Sequence, residues 1–283
     1  MQIGVLGEGF TVLFSKQVGS LVSLNYHGHE MIEAPPALLF WRATTDNDKG
    51  TQLGYHAGCW YAASLARKCV EVSLSQEDGA VTVSFDYRFS IHADLSVQTA
   101  YTVYGDGTVR VRTRYNGTAG LPDLPIVALS FKMSADYNQT EWYAMGPEEN
   151  YIDRAYGARL GVFSRKVQEL PSRYLVPQES GNRTGVRRVK ITDEAGIGLQ
   201  ISAPATAPVE CNLSPYTAFE LEHATHAFEL PQVHYTVVTV AGRQMGVGGD
   251  DSWGAPVHKE YTIPAEQNLE YEFFISSVGT GEE

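Results

Sequence analysis

The sequence is short of cysteine, of basic residues and of long apolar runs, and each shortage excludes a class of protein. Cys59, Cys69 and Cys211 are three in number and show no close metal-ligand spacing. An odd, sparse set reads as free thiols in a reducing compartment rather than a disulfide framework. Lys and Arg total 21 against 33 Asp and Glu, a formal net charge of −12. Neither nucleic acid nor an anionic membrane attracts such a surface, so neither is expected as a partner. A neutral ligand such as a sugar stays open. No apolar run approaches the length of a membrane span. The opening stretch MQIGVLGEGFTVLF has no basic start followed by an apolar core, so no secretory signal is visible. The expectation is a soluble, cytoplasmic protein. A Gly-x-Ser-x-Gly elbow, a phosphate loop and a Cys pair motif are also missing from the chain.

What is present is period-2 alternation. VTVSFDYRF (81–89), LSVQTAYTVY (95–104) and TVRVRTRYN (108–116) read as three successive strands. GDG at 105–107 joins the last two as a hairpin, because glycine accepts positive φ. Further strands are expected at 9–14, 20–26, 127–133, 141–145, 186–193, 198–203, 209–213, 233–240 and 270–277, all rich in β-branched and aromatic residues. Helical signals are few. Ser214 as N-cap with Pro215 after it predicts one short helix over 215–225, and CWYAASLARK (59–68) is a second candidate. A dozen strands without a linker or an internal repeat predict one all-β sandwich domain spanning 1–283.

Four irregular segments interrupt the strands: FWRATTDNDKGTQLGYHAG (40–58), MGPEENYIDRAYGARLG (145–161), LVPQESGNRTGVRRV (175–189) and GGDDSWGAP (248–256). Charge, aromatic rings and glycine concentrate in them, and loops on a rigid sandwich are where function usually sits. Most of their charged residues have a structural reading. In DNDKG, Asp46 and Asp48 could chelate calcium, but the glycine falls one place too early for an EF-hand loop and no Glu closes it. A local turn, with Arg42 pairing one of the acids, is the preferred reading. Glu148, Glu149 and Asp153 invite comparison with glycosidase carboxylates. Adjacent residues on an extended segment point opposite ways, so an ion-pair network with Arg154 and Arg159 is expected instead. Glu179 is expected to pair with one of Arg183, Arg187 or Arg188. Glu220, Glu222, His223 and His226 read as a solvated helix face, since a helical zinc pair needs i, i+4 spacing with a Glu between.

Trp253 is harder to assign to structure. It lies between Ser252 and Gly254, in a polar, Gly-rich stretch. The apolar C–H face of a pyranose stacks on such a ring, and Asp250 and Asp251 beside it can accept sugar hydroxyl hydrogens. A lid over a local hydrophobic edge is the competing reading.

Together, FWRATTDNDKG, GPEENYIDR, PQESGNRT and GGDDSW, in this order and spacing, resemble the C-terminal domain of glycoside hydrolase family 2 β-galactosidases. The same unit occurs as a separate small subunit in some two-chain enzymes. The resemblance runs from about residue 5 to 278. It implies a large antiparallel supersandwich of galactose-mutarotase-like type with one or two short helices. It also implies that Trp253, with Asp250 and Asp251, contacts a β-galactoside in an active site built mainly by a TIM barrel outside this chain. The catalytic glutamates and the magnesium ligands of the family lie in that barrel, so no catalytic residue and no cofactor is expected here. The implied partner is the barrel domain or large subunit. The segment bearing Gly50, Gly54 and Gly58 is expected to be a mobile loop near the shared site. One departure is visible: ESG at 179–181 stands where the family has Glu-Asn-Gly. Two other readings stay open. One is a free-standing mutarotase-type epimerase drawing on His56, His92, His234 or His258 with a Glu. The other is a carbohydrate-binding module.

Overall fold

Alternation along the strands organises a hydrophobic interior shared by three antiparallel sheets. The computed structural model describes residues 2–251 and 253–279. Strands β1 (Gln2–Gly7), β2 (Phe10–Ser15), β3 (Ser20–Tyr26) and β4 (His29–Glu30) form a four-stranded meander. A five-stranded sheet has the order β13 (Asn182–Val186), β16 (Val209–Ser214), β17 (Tyr235–Gln244), β10 (Ile126–Ser134), β5 (Ala34–Leu39). The nine-stranded sheet begins with β12 (Arg159–Lys166), β11 (Gln139–Gly146), β14 (Arg188–Thr192) and β15 (Gly198–Ser202). It continues through β18 (Leu269–Val278), β9 (Val109–Asn116), β8 (His92–Val103), β7 (Ala80–Phe89) and β6 (Arg67–Glu77). Among the described residues there are also four short α-helices, α1 (Asp46–Gly50), α2 (Leu53–His56), α3 (Cys59–Leu65) and α4 (Ala218–His223), and three single-turn 3-10 helices.

β9 shows how sequence sets the layers. Val109, Val111, Thr113 and Tyr115 turn inward, while Arg110, Arg112 and Arg114 face out. Arg112 and Arg114 both pair with Glu270 on the adjacent β18, a cross-strand ion pair of the kind that fixes register. One hydrophobic cluster draws on all three sheets, with Val12 and Leu24, Leu129 and Val238, and Val83 and Ile201 among its members. Phe40, Trp60 and Tyr115 form an aromatic knot within it, with ring centroids 5.6 to 6.3 Å apart. Trp60 is fully buried and donates from Nε1 to the carbonyl of Pro122 at 3.0 Å. That bond lets a polar-tipped ring sit in the core without an unpaired donor.

Several sequence expectations need correction. β1, β4, β5, β6 and β12 were not anticipated. β6 and β12 are the two edges of the nine-stranded sheet, and β1 and β5 are edges of theirs. β6 and β12 keep a period-2 pattern, but several of their apolar residues, Val70, Leu74, Leu160 and Val162, are exposed rather than packed inward. β5 contains Pro35 and Pro36, which a central strand would not tolerate but an edge strand does. The single strand expected at 186–193 is two, broken at Arg187, where the chain passes from the five-stranded to the nine-stranded sheet. The helix expected from Ser214 starts later. Thr217 is its cap: its hydroxyl accepts from Glu220 N, while the Glu220 carboxylate accepts from Thr217 N. This reciprocal box outcompetes Ser214, which closes β16 and accepts from Tyr216 N.

Trp60→Ala is expected to cost about 3–5 kcal/mol, the usual range for deleting a large core aromatic. Leu74→Ser on β6, where Leu74 is 60% exposed, is expected to stay within about 0.5 kcal/mol. Chemical denaturation of the two variants beside the parent chain measures the contrast.

Candidate functional site

The four irregular segments converge, and the 40–58 segment is their hub. It was expected to be a loop; the structure folds it into α1, α2 and the approach to α3. α1 begins because Thr45 caps it. The Thr45 hydroxyl accepts from Asp48 N at 3.1 Å, and Asp48 Oδ2 accepts from Thr45 N at 3.0 Å. The same carboxylate receives the Arg42 guanidinium in a two-pronged pair, Nε to Oδ2 at 3.1 Å and Nη2 to Oδ1 at 2.9 Å. The expected Arg42 pair is therefore with Asp48, and both side chains are buried. Arg42 also donates to the carbonyls of Met245 at 2.5 Å and Gly246 at 2.7 Å. Asn47 Nδ2 donates to the Val247 carbonyl at 3.1 Å.

The 145–161 and 175–189 segments join from the other side. Asp46 N donates to Gln178 Oε1 at 3.0 Å, and Gln178 Nε2 returns a bond to Asp46 Oδ2 at 3.1 Å. Asp153 accepts from Gly248 N at 2.7 Å. Glu149 pairs with Arg154 at 2.6 Å, as expected, and accepts from Gly181 N at 2.7 Å. Glu148 reaches Arg165 on β12 instead of Arg159. Glu179 does not pair with an arginine of its own segment. It is buried and accepts from Asn212 Nδ2 at 2.8 Å and from the Tyr151 hydroxyl at 3.3 Å. Burial pushes its carboxyl up, against the effect of nearby Arg42 and those donors. Arg183 instead lies over the Trp142 ring at 5.0 Å. The ESG departure leaves the turn intact, because Asn212 Nδ2 bonds the Ser180 carbonyl at 2.8 Å while Glu149 holds Gly181. Glu222, expected on a solvated helix face, accepts from Thr44 N at 2.6 Å and so ties α4 to the same hub. His226 lies beyond α4 and pairs with Glu229.

Trp253 stands on the fourth segment, 86% exposed. Its loop is shaped by Asp251, whose Oδ1 accepts from Trp253 N at 2.9 Å and Ala255 N at 3.1 Å. Those two donors hold the Asp251 carboxyl below the usual range. Asp250 pairs with His258 at 2.8 Å, which raises the imidazole. Both aspartates therefore have structural work beside the ring. Ser252 lies outside the described residues. Gly50 meets this loop directly: a Cβ there would lie 3.0 Å from the Gly254 Cα. At Gly58 a Cβ would lie 2.5 Å from the Gly54 carbonyl oxygen, while Gly54 borders open space. Close approach, not positive φ, is what Gly50 and Gly58 permit.

Two depressions flank α1. One, of about 280 Å³, is lined by Thr51, Leu53, His56, Met245 and Val257 among others. The other, of about 250 Å³, opens between Asp46, Tyr151, Arg154, Tyr174, Gln178 and their neighbours. His56, His92, His234 and His258 all lie outside the second, which holds Glu179. Among the described residues no group of three His, Cys, Asp or Glu comes together to hold a metal. Tyr151 and Gln178 stand inside the quoted stretches GPEENYIDR and PQESGNRT without being singled out, and Tyr174 directly precedes the third segment. Gln178 meets Asp46 and Tyr151 meets Glu179 only through segments distant in sequence.

These features define an all-β chain of galactose-mutarotase-like fold whose loops meet at one end. The structure superposes on a galactose mutarotase related enzyme from Lactobacillus acidophilus with a TM-score of 0.52 at 9% identity, covering 100% of this chain and 99% of that one. Residues 6–275 match the family described as beta galactosidase small chain, and the chain belongs to that family. It is 61% identical to a β-galactosidase of Halalkalibacterium halodurans over 98% of this chain, yet spans 28% of that protein's length. It is 34% identical to a β-galactosidase small subunit of Latilactobacillus sakei, covering 97% of this chain and 95% of that one.

Glu210 on β16 lies beneath the hub, buried, accepting from Asn182 Nδ2 at 2.7 Å and Gln244 N at 3.0 Å. Burial pushes its pKa up to about 7, against those two donors. The folded state therefore binds a proton more tightly than the unfolded chain, and this group's contribution to stability falls as pH rises from about 4.5 to about 7. Glu210→Gln keeps an acceptor without the titration. The stability difference between variant and parent is expected to grow in the variant's favour by about 2–3 kcal/mol across that window. Urea denaturation of both chains at pH 5 and pH 8 reads it.

Proposed function

We propose that this chain is the substrate-contacting accessory part of a family 2 glycoside hydrolase acting on terminal β-galactosides. In this reading it is docked to a catalytic TIM barrel, as a domain or as the partner of a large subunit. Its membership of the small chain family and its likeness to a small subunit over nearly the whole length of both support this. The single observation that carries the site is Trp253, a large apolar ring held out on a tethered loop instead of in the core. The ring serves as a platform for the pyranose, with Asp250 and Asp251 beside it positioned to shape the loop and accept hydroxyl hydrogens. The acid, base and nucleophile, and the magnesium that supports them, belong to the partner barrel. The setting is the cytoplasm. Among the described residues no helix is long and apolar enough to cross a membrane. A mutarotase-type reading has less support, because no histidine lines the cleft that holds Glu179.

The chain alone is expected to release no nitrophenol from a nitrophenyl β-galactoside, and to do so once the barrel partner is added. In the assembled enzyme Trp253→Ala should lower kcat/KM by about tenfold to a hundredfold, from a stacking contribution of about 1–3 kcal/mol by analogy with base–aromatic stacking. The melting temperature should barely change, because an exposed ring contributes little to the core. A large loss of stability with unchanged efficiency would show that the ring is structural.

The segment around Gly50, Gly54 and Gly58 is proposed to move when the barrel docks. Its helices are only one to two turns long, and helices so short are marginal without tertiary support. Amides of 50–58 should exchange with solvent faster in the free chain than in the assembled enzyme. Equal protection in both states would contradict the movement.

A further inference from the structure

The cleft between α1 and the 174–179 segment is a preorganised site in search of a ligand. Its floor is Tyr151, Gln178, Glu179 and Thr45, all buried; its walls are Asp46, Asn47, Arg154 and Tyr174, with Val247 as an apolar side. Every wall is fixed before anything binds. Asp46 and Gln178 hold each other through two bonds. Asn47 is anchored on the Val247 carbonyl. Arg154 and Tyr174 share Glu149, at 2.6 and 2.8 Å, and Arg154 Nη1 also donates to the Tyr174 hydroxyl at 3.4 Å. Tyr151 is oriented by Glu179. Such preorganisation lowers the entropic cost of binding.

The lining also restricts the ligand's chemistry. The guanidinium of Arg154 is already matched by Glu149, so an anion would meet Asp46 and Glu179 without a free countercharge. A cation would have to compete with Gln178 for Asp46 and with Asn212 and Tyr151 for Glu179. A neutral molecule rich in both donors and acceptors meets no such conflict. Carboxylate, amide and phenol oxygens can take its hydroxyl hydrogens, guanidinium N–H groups can donate to its oxygens, and the tyrosine rings and Val247 suit an apolar C–H face. The volume, about 250 Å³, lies below the roughly 300–1,000 Å³ of drug-sized sites and suits one ring rather than a chain.

We infer that this cleft is a monosaccharide-binding site of the chain itself, separate from the Trp253 platform and independent of any barrel partner. Trp253 is not among the residues that line it. The test is a titration of the ¹⁵N-labelled 283-residue chain with methyl β-D-galactoside and methyl β-D-glucoside, followed by amide shifts. Saturating shifts at Asp46, Asn47 and Gln178 are expected, with Kd on the order of 1–50 mM. Tyr174→Phe removes one hydroxyl from a partly exposed ring, and Asp46→Asn removes one charge at the surface; melting curves confirm that both stay folded. Each should weaken binding about fivefold, as loss of one hydrogen bond predicts, while Trp253→Ala changes it by less than about twofold. The inference is overturned if no saturable shift appears up to about 200 mM sugar, a concentration well above any such Kd. It is overturned equally if shifts are confined to 250–256 and vanish in Trp253→Ala, or if Mg²⁺ shifts the cleft amides and sugar does not. None of these outcomes bears on whether the chain completes a β-galactosidase, which the nitrophenyl assay reads separately.

Discussion

The arrangement of the four irregular segments depends on one buried ion pair. Arg42 and Asp48 are six residues apart and sealed from solvent, and burying two charges is costly unless every donor and acceptor is used. Four of the five guanidinium N–H groups are used. The carboxylate takes Nε and Nη2 of the guanidinium and also closes the cap of α1; Nη1 and the second hydrogen of Nη2 go to two carbonyls just after β17. The pair thus joins a segment after the second sheet's edge strand to the segment that leads to Trp253. Burial opposes the charge on Arg42, yet Asp48 beside it keeps the group charged above its ordinary range. Replacing one partner would leave the other stranded, which is why such pairs set geometry more than they add net stability.

Around that pair the polar contacts form tiers. Gln178 locks Asp46, Asp153 locks Gly248, and Glu222 brings α4 against Thr44. Glu149 is shared among Arg154, Tyr174 and the Gly181 amide, so one carboxylate sets the height of two side chains and a turn. The hydrophobic sandwich below supplies rigidity, and these carboxylates and amides supply position. Buried polar networks specify a unique arrangement to the degree that their members are satisfied; here Asp153 Oδ1 and Asn212 Oδ1 are buried with no hydrogen-bond partner among the described residues.

The strands with one wet and one dry face were legible in the sequence. β7, β8 and β9 alternate so plainly that each is found from the residues, within one residue at each end except that β8 begins at His92, three residues before the expected start, and the GDG hairpin sits where glycine at 107 accepts a φ of 81°. Edge strands were less legible: β6 and β12 keep a period-2 pattern, but their apolar residues Val70, Leu74, Leu160 and Val162 stay exposed, so apolar does not mean inward there. The 40–58 segment misled for another reason. Its polar residues are consumed in capping and ion pairing, which composition reads as loop. Trp253 and the Arg42 pair could be found because their neighbours are close in sequence or in a recognisable order. The sugar-sized cleft could not, because Asp46 and Gln178 meet across a sequence separation of 132.

The contact between Gly50 and Gly254 has a mechanical meaning. Two backbones touch there with no side chain between them; a Cβ at 254 would sit 2.7 Å from the Gly50 oxygen. Side chains normally act as springs, since a rotamer can turn to absorb a small displacement. Bare backbones have no such compliance. The end of α1 and the base of the tryptophan loop therefore behave as one lever: a push on the helix tilts the ring, and a load on the ring presses on the helix.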